Sequence, residues 1–290
     1  SRGVDVLIAT PGRLIDLIER KAIRFDDTSY LVLDEADQML DIGFIHALRR
    51  IAKLLPRNRQ TLLFSATMPK LMEELADSYL TDPVRVEANP PGRPADKIAQ
   101  GVHFVNQGDK ATLLAEYLAK HPGELAIVFG RTKHGSEKLS KLLEKWGFKV
   151  AAIHGNKSQG QRERALASFR AEDTQVLVAT DVAARGIDIP QVAHVYNYDL
   201  PNVPENYVHR IGRTARAGRD GRAVAFCAPA ELGELRAIEK TIKTAIPVIG
   251  GEVPAGAPAP SARPSRGAAP AAARKRPARR PSRAPRASQG

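Results

Sequence analysis

Apolar residues in this chain fall into two alternating kinds of run. Between Val4 and Glu87 the short blocks VLIA, YLVLD and TLLFSA are separated by amphipathic stretches. Leu14, Leu17 and Ile18 follow the first at helical spacing, Phe44, Leu48, Ile51 and Leu55 follow the second, and a helix near Met72 to Tyr79 follows the third. Blocks of four or five apolar residues between helices predict strands buried on both faces, and hence a parallel sheet in an α/β domain. The stretch ANPPGRPAD, Ala88 to Asp96, breaks the pattern with three prolines and a glycine. It predicts an interdomain linker over 88–95. The alternation then resumes with VHFV, LAIVF, VAAI, VLVAT, VAHVY and AVAFC, separated by helices such as Lys133 to Lys145 and Gln159 to Arg170. Six strands with crossovers predict a complete second α/β domain over 96–246.

The first unit, 1–87, offers three or four strand candidates and begins directly with one, which reads as half a domain. A G-x-x-x-x-G-K-[ST] loop is expected near the start of a nucleotide-binding α/β domain and occurs nowhere in the 290 residues. The sequence therefore reads as cut ahead of that loop.

Composition narrows the class. No apolar run approaches the roughly 18–20 residues of a membrane helix, and Ser1 to Val4 lack the order of a signal peptide, which predicts a cytoplasmic protein. Cys227 is the only cysteine and sits in the apolar run VAFC, so it predicts a buried thiol with no disulfide or cysteine-based zinc site. The formal net charge of +12 points to a polyanionic partner. Residues 251–290 hold nine Lys or Arg against Glu252, leaving only +4 for the remainder. Without one aromatic residue, the Ala/Pro/Arg-rich segment 247–290 predicts a disordered basic tail that seeks RNA. A solvated tail that only aids solubility is the alternative.

The strongest local chemistry is YLVLDEAD, where a predicted strand ends in Asp34, Glu35 and Asp37 at the carboxyl edge of the sheet, the edge at which open α/β sheets bind ligands. Such a cluster suits Mg2+, with a second carboxylate to orient an attacking water. The same residues also fit an acidic helix start. Arg213 and Arg216 sit three apart, so on a helix they share a face and present two donor forks to one phosphate; alone, either reads as a surface arginine. His154 and His209, taken alone, read as structural histidines.

The segment DEAD resembles motif II of the DEAD-box RNA helicases, and that family's downstream motifs follow in order. TPGR from Thr10 resembles motif Ib, SAT from Ser65 motif III, IVFGRTK from Ile127 motif IV and HGNKSQGQR from His154 motif IVa. VATDVAARGID from Val178 resembles motif V, and YVHRIGRTARAGR from Tyr207 motif VI. The resemblance covers Arg2 to about Ile246, with wording such as DQMLDIGF and LLFSATMP closest to the bacterial RhlE-like branch. Two departures are Gly130, where a larger residue is usual, and Ala215, where glycine is common.

The resemblance implies two RecA-like parallel-sheet domains, the first incomplete, and an ATP-dependent RNA helicase using ATP and Mg2+. It implies that Asp34 holds Mg2+ through water, that Glu35 activates the attacking water, and that Arg213 and Arg216 act as arginine fingers. Asp37, Ser65, Thr67 and His209 would couple the two domains, while Gly186 and Asp188 would contact phosphate and ribose. RNA would be held by its backbone, through Thr10, Gly12 and Arg13 on the first unit and Gln159, Arg162, Thr180 and Arg185 on the second. Hydroxyl, amide and guanidinium donors without stacking aromatics imply binding largely independent of sequence. Ribosomal or RNA-decay assemblies are candidate partners. The competing reading is an RNA-binding module without ATP turnover in the chain as given.

Overall fold

The structure, a computed structural model, describes residues 3–87, 97–184, 187, 189, 191–216 and 218–253. The expected linker and most of the expected tail, from Pro254 onward, lie outside them. In the first unit the order is α1 (Pro11–Glu19), β1 (Tyr30–Leu33), α2 (Ala36–Asp41), α3 (Ile45–Leu54), β2 (Gln60–Leu63) and α4 (Lys70–Tyr79). β1 and β2 pair in parallel, with Tyr30 opposite Gln60 and Leu33 opposite Leu63. Leu33, Leu48, Ile51, Met72, Leu75 and Tyr79 form its buried core.

Two expectations for this unit are corrected. VLIA forms no strand, and Ile8 is 93% exposed. A parallel strand needs a neighbour for its ladder hydrogen bonds, and none of the described residues supplies one. Nor is β1 buried on both faces, because Tyr30 is 69% exposed and Val32 is also open.

The second unit runs β3 (Ile98–Phe104), α5 (Lys110–Ala119), β4 (Leu125–Phe129), α6 (Lys133–Lys145), β5 (Val150–Ile153), α7 (Gln159–Arg170) and β6 (Val176–Ala179). It continues with α8 (Asp181–Ala184), β7 (Val192–Asn197), α9 (Glu205–Ile211), β8 (Gly221–Cys227), α10 (Leu232–Ile242) and β9 (Val248–Gly250). The seven strands lie in the order β5-β6-β4-β7-β8-β3-β9, every pair parallel. The sheet is doubly covered. Leu125, Ile127 and Phe129 pack with Phe169, Tyr207, Ile211 and Leu235, while Ala126 and Val128 pack with Leu114, Leu118, Leu139 and Leu143. Successive residues of β4 thus serve opposite faces, as the two-residue strand period requires.

Helices α6 and α7 have the bounds read from the sequence, and both have caps. Thr132 accepts from Gly135 N, and Ser158 forms a reciprocal capping box with Gln161. The expected end of this unit at Ile246 falls short of its edge strand, since Val248 in β9 pairs with Val102 in β3. Three residues were too short to register as a strand by periodicity. No helix among the described residues is long and apolar enough to cross a membrane.

Candidate active site at the junction of the two units

Two residues separate β1 from α2. Asp34, exposed at the strand end, accepts from Glu35 N at 3.0 Å. Glu35 adopts φ 52°, the left-handed region, and its carbonyl accepts from Gln38 N and Met39 N to open α2. A non-glycine residue held there costs about 1–3 kcal/mol, a strain that concentrates at functional sites. The turn leaves Asp34 and Glu35 at the carboxyl edge and drives Asp37 inward.

Asp37 is 4% exposed. Its Oδ2 accepts from Thr67 N at 2.8 Å and Thr67 Oγ1 at 2.7 Å, and its Oδ1 accepts from Gln38 N at 3.0 Å. Asp37 N donates to Ser65 Oγ at 3.3 Å, and that hydroxyl donates to Thr67 O at 2.7 Å. Asp37, Ser65 and Thr67 therefore form one closed network between the ends of β1 and β2.

The second unit meets this network through α9. His209 Nε2 lies 3.2 Å from Asp37 Oδ2, and its Nδ1 accepts from Gln38 Nε2 at 3.3 Å. The Asp37 approach has ion-pair distance without hydrogen-bond alignment, and His209 Nε2 and Gln38 Oε1 are buried without hydrogen-bond partners. Burial pushes the Asp37 carboxyl up, but the His209 ring and the Thr67 donors outweigh it and hold the pKa below the ordinary aspartate value.

Arg210, adjacent to His209 and 1% exposed, anchors α9 in place. Its Nε and Nη2 donate to the two carboxylate oxygens of Asp181 at 2.5 and 2.8 Å. Its Nη1 donates to Asn197 Oδ1 and to the Asp199 carbonyl, and the guanidinium lies 5.1 Å from the Phe129 ring centre. One side chain thus ties α9 to the carboxyl ends of β4, β6 and β7. Gln38, Phe129, Asp181, Asn206, His209, Arg210 and Arg213 line a small cleft there. Sequence reading missed Gln38, Arg210 and Asp181. All three stand inside the quoted motifs, but their partners lie far along the chain and no spacing rule connects them.

Arg213 and Arg216 do not share a helix face, because α9 stops at Ile211. Their convergence has another source. Arg213 Nη1 and Arg216 Nη1 donate to the same carbonyl, Ile187 O, at 2.9 and 3.3 Å, while their Nε atoms donate to His209 O and Gly212 O. Between them Ala215 has φ 57°, so the position where glycine is common in the family is a left-handed one. At Gly130 a Cβ would stand 2.6 Å from Ser136 Oγ, so a larger residue there requires that hydroxyl to move.

The expected RNA residues divide by unit. Thr10 stands before α1 without a side-chain cap, Gly12 is exposed, and Arg13 pairs with Asp16 at 2.6 Å. In the second unit Gln159 opens α7 and donates to Glu163 at 2.9 Å. Arg162 Nη2 donates to Ala183 O at 3.3 Å, in the segment that Thr180 begins, and its Nε is buried without a partner. Arg162 therefore links the start of α7, where Gln159 stands, to the short helix that follows Thr180. Among the described residues no hydrogen bond or ion pair joins these three to Thr10, Gly12 or Arg13. Arg185, Gly186 and Asp188 lie outside the described residues. His154 is buried and its Nε2 meets Glu137 at 2.8 Å, and Cys227 is a buried free thiol.

Residues 1–75 match the DEAD/DEAH box helicase family, and residues 109–218 match the helicase conserved C-terminal domain. The chain is 45% identical over 238 residues to the ATP-dependent RNA helicase CshA of Listeria monocytogenes, covering 82% of this chain and 46% of that protein. It resembles S. cerevisiae Dbp5 bound to RNA and ADP BeF3 with a TM-score of 0.75, at 34% identity over 83% of this chain and 64% of the other. A variant of Dbp5 bound to Gle1 and IP6 gives a TM-score of 0.63, at 34% identity over 84% and 64%. E. coli SrmB, bound to the regulator of ribonuclease activity A, is 38% identical over 53% of this chain and 91% of its own, with a TM-score of 0.50. The chain belongs to the DEAD-box helicase family and spans about half the length of the curated relatives it matches. Those relatives carry the CshA name, so the narrower RhlE-like placement gains no support from them.

Proposed function

We propose that this chain forms part of an ATP-dependent RNA helicase that couples ATP binding and hydrolysis to local RNA strand separation in the cytoplasm. The observation that carries the reading is the meeting of Asp37 and Gln38 from one unit with His209 from the other, at 3.2 and 3.3 Å. It gives the acidic edge a direct line to the arginine-bearing segment. The resemblance over both units to Dbp5 bound to RNA and ADP BeF3, greater than to Dbp5 bound to Gle1 and IP6, supports an arrangement of the two units suited to RNA and nucleotide.

The donor set fits Mg2+-ATP. Asp34 is an exposed carboxylate suited to a hard cation bound through water, and two guanidinium groups converge on the Ile187 carbonyl, with Arg213 lining the cleft beside Gln38 and His209. Bound Mg2+-ATP supplies the phosphoryl group whose transfer to water drives the cycle. Glu35 orients the attacking water and takes its proton. Arg213 and Arg216 stabilise negative charge developing on the phosphoryl oxygens. Gly186 and Asp188 complete the nucleotide contacts. Asp37, Ser65, Thr67 and His209 transmit closure between the units. Thr10, Gly12 and Arg13, with Gln159, Arg162, Thr180 and Arg185, hold one RNA strand by its backbone and bend it, so that a short duplex separates. Ribosomal or RNA-decay assemblies are the partners proposed for such an activity.

The test requires a protein that supplies a G-x-x-x-x-G-K-[ST] loop ahead of Ser1. There Glu35→Gln should keep ATP and RNA binding and nearly abolish RNA-stimulated phosphate release, and Arg213→Ala should cut it roughly 10³-fold. Turnover within a few fold of the parent in both variants overturns the assignment. Unwinding of a DNA duplex as fast as an RNA duplex refutes the substrate. A second reading, RNA binding without turnover by residues 1–290 alone, is favoured by the absence of that loop from the sequence. RNA-stimulated phosphate release from the isolated chain excludes it.

A further inference from the structure

The second unit carries a cluster of metal-ligating groups at the sheet edge opposite the helicase site. α5 ends at Ala119 and β4 begins at Leu125, and between them His121, Pro122, Gly123 and Glu124 make a tight turn. Glu124 N donates to His121 O at 3.3 Å, and Gly123 has φ 83°. Proline second and left-handed glycine third are the residues of a type II turn, which brings its first and fourth side chains near each other. The third group comes from β7, where His194 lies opposite Ala126 of β4.

His194 Nε2 is 2.5 Å from Glu124 Oε2, and His121 Nδ1 is 3.6 Å from Glu124 Oε1. The two imidazole rings stand 4.3 Å apart centre to centre, and one donor atom from each of the three residues fits within a 4.8 Å span. We infer that His121, Glu124 and His194 form a binding site for a divalent transition metal of the Zn2+ class, with a fourth position open to water.

The ligand chemistry decides the class. Two imidazoles and one carboxylate match Zn2+ and its neighbours rather than Mg2+, which prefers oxygen donors and its own water. Tetrahedral Zn2+ with bonds of about 2.0–2.1 Å sets its donors about 3.3 Å apart. The His121–Glu124 pair is already close to that separation. The His194 Nε2–Glu124 Oε2 contact must open by less than about 1 Å as the metal takes the place of the shared proton, which is released to solvent. Glu124, whose side chain is 50% exposed, is free to make that adjustment, while His194, 4% exposed and stacked on Tyr196, is a fixed wall. Arg222 is the opposing group, with Nη1 3.5 Å from His121 Nε2. Being exposed, it can swing into solvent when the cation binds.

The probe is Zn2+ alone, titrated calorimetrically into the chelator-treated 290-residue chain, with Co2+ and its visible absorption as a second readout of tetrahedral geometry. The wild-type chain should bind one Zn2+ with a Kd below about 10 µM and should ignore Mg2+. His121→Gln and Glu124→Gln alter solvent-reaching side chains and should stay folded by circular dichroism. Each should weaken Zn2+ at least about tenfold and remove the tetrahedral Co2+ spectrum, since even outer-shell partners are worth about 10–100-fold. Zn2+ binding unchanged in both variants, no binding by the wild type, or equal binding of Mg2+ would each overturn the site.

Discussion

Asp37 of the first unit and His209 of the second approach to 3.2 Å across the junction, and Asp37 is the more buried of the two. Its carboxyl titrates below the ordinary aspartate value in the folded chain. A depressed folded pKa adds stability that is complete above the unfolded pKa of about 3.9 and disappears as pH falls through the lower folded value. Thermal unfolding followed from pH 7 toward pH 2.5 should therefore show the first unit weakening steeply below about pH 4. Asp37→Asn should be less stable at pH 7 and flatter in that acid window. An equally steep acid limb in the variant would remove Asp37 from the titration.

Arg210 fills a place that lysine cannot. Its planar fork satisfies both oxygens of Asp181 while a third nitrogen reaches Asn197 and Asp199. Arg210→Lys keeps the charge and loses that geometry. Lysine still faces Asp181 with a cation, so the expected loss in urea unfolding is that of the hydrogen bonds the fork made, about 1–3 kcal/mol. A loss below about 1 kcal/mol would mean that α9 is held by its apolar contacts alone.

The places where sequence and structure agree are those governed by local rules. Helix α6 is framed by the Thr132 cap, helix α7 by the Ser158 capping box, and the central strands β4 and β6 are unbroken apolar runs. Asp34, Glu35 and Asp37 were legible as a cluster because they follow the apolar run YLVL, whereas Ser65 and Thr67 entered only through the resemblance to the helicase motifs. What stayed hidden depends on partners distant in sequence. Ile8 looks like strand until the question of its neighbour is asked, and Arg210 looks like any motif arginine until Asp181 is placed beside it. Arg213 and Arg216 were paired for the wrong reason, since a shared carbonyl at Ile187 and not a helix face brings them together. The strand Val248–Gly250 is three residues long and exists only because β3 offers an open edge.

Gly130 and Ser136 make a steric pair that a double-mutant cycle can test. A Cβ on Gly130 would lie 2.6 Å from Ser136 Oγ but 3.6 Å from Ser136 Cβ, so only the hydroxyl is in the way. That hydroxyl is also buried without a partner. Gly130→Ala alone should destabilise the second unit by about 1–3 kcal/mol. Ser136→Ala alone should be neutral or stabilising, because it removes an unsatisfied polar atom. The double variant should recover most of the loss, with a coupling energy of at least about 1 kcal/mol by chemical denaturation. Simple additivity would show that the clash is relieved by backbone movement instead.

The basic segment beyond Val253 makes the last prediction, which rests on charge alone. Residues 254–290 contain nine Lys or Arg and no acidic residue. Each cation that neutralises a phosphate of single-stranded RNA releases a counterion and adds about 0.7 to the slope of log K against log salt. Full engagement of all nine would therefore account for a slope of about 6. The cut belongs after Val253 because β9 must stay on the sheet and Gly251 packs against the Phe104 carbonyl, with φ 78°. The chain ending at Val253 should bind RNA more weakly at low salt, lose part of its salt dependence, and approach the parent's affinity as salt rises. Base composition of the RNA should matter equally little to both, since guanidinium–phosphate contacts carry no sequence information. Fluorescence anisotropy with one labelled single strand at several salt concentrations measures all three effects. Parallel salt plots for the two chains would assign the segment to solubility and leave RNA binding to the donors of the second unit and the start of α1.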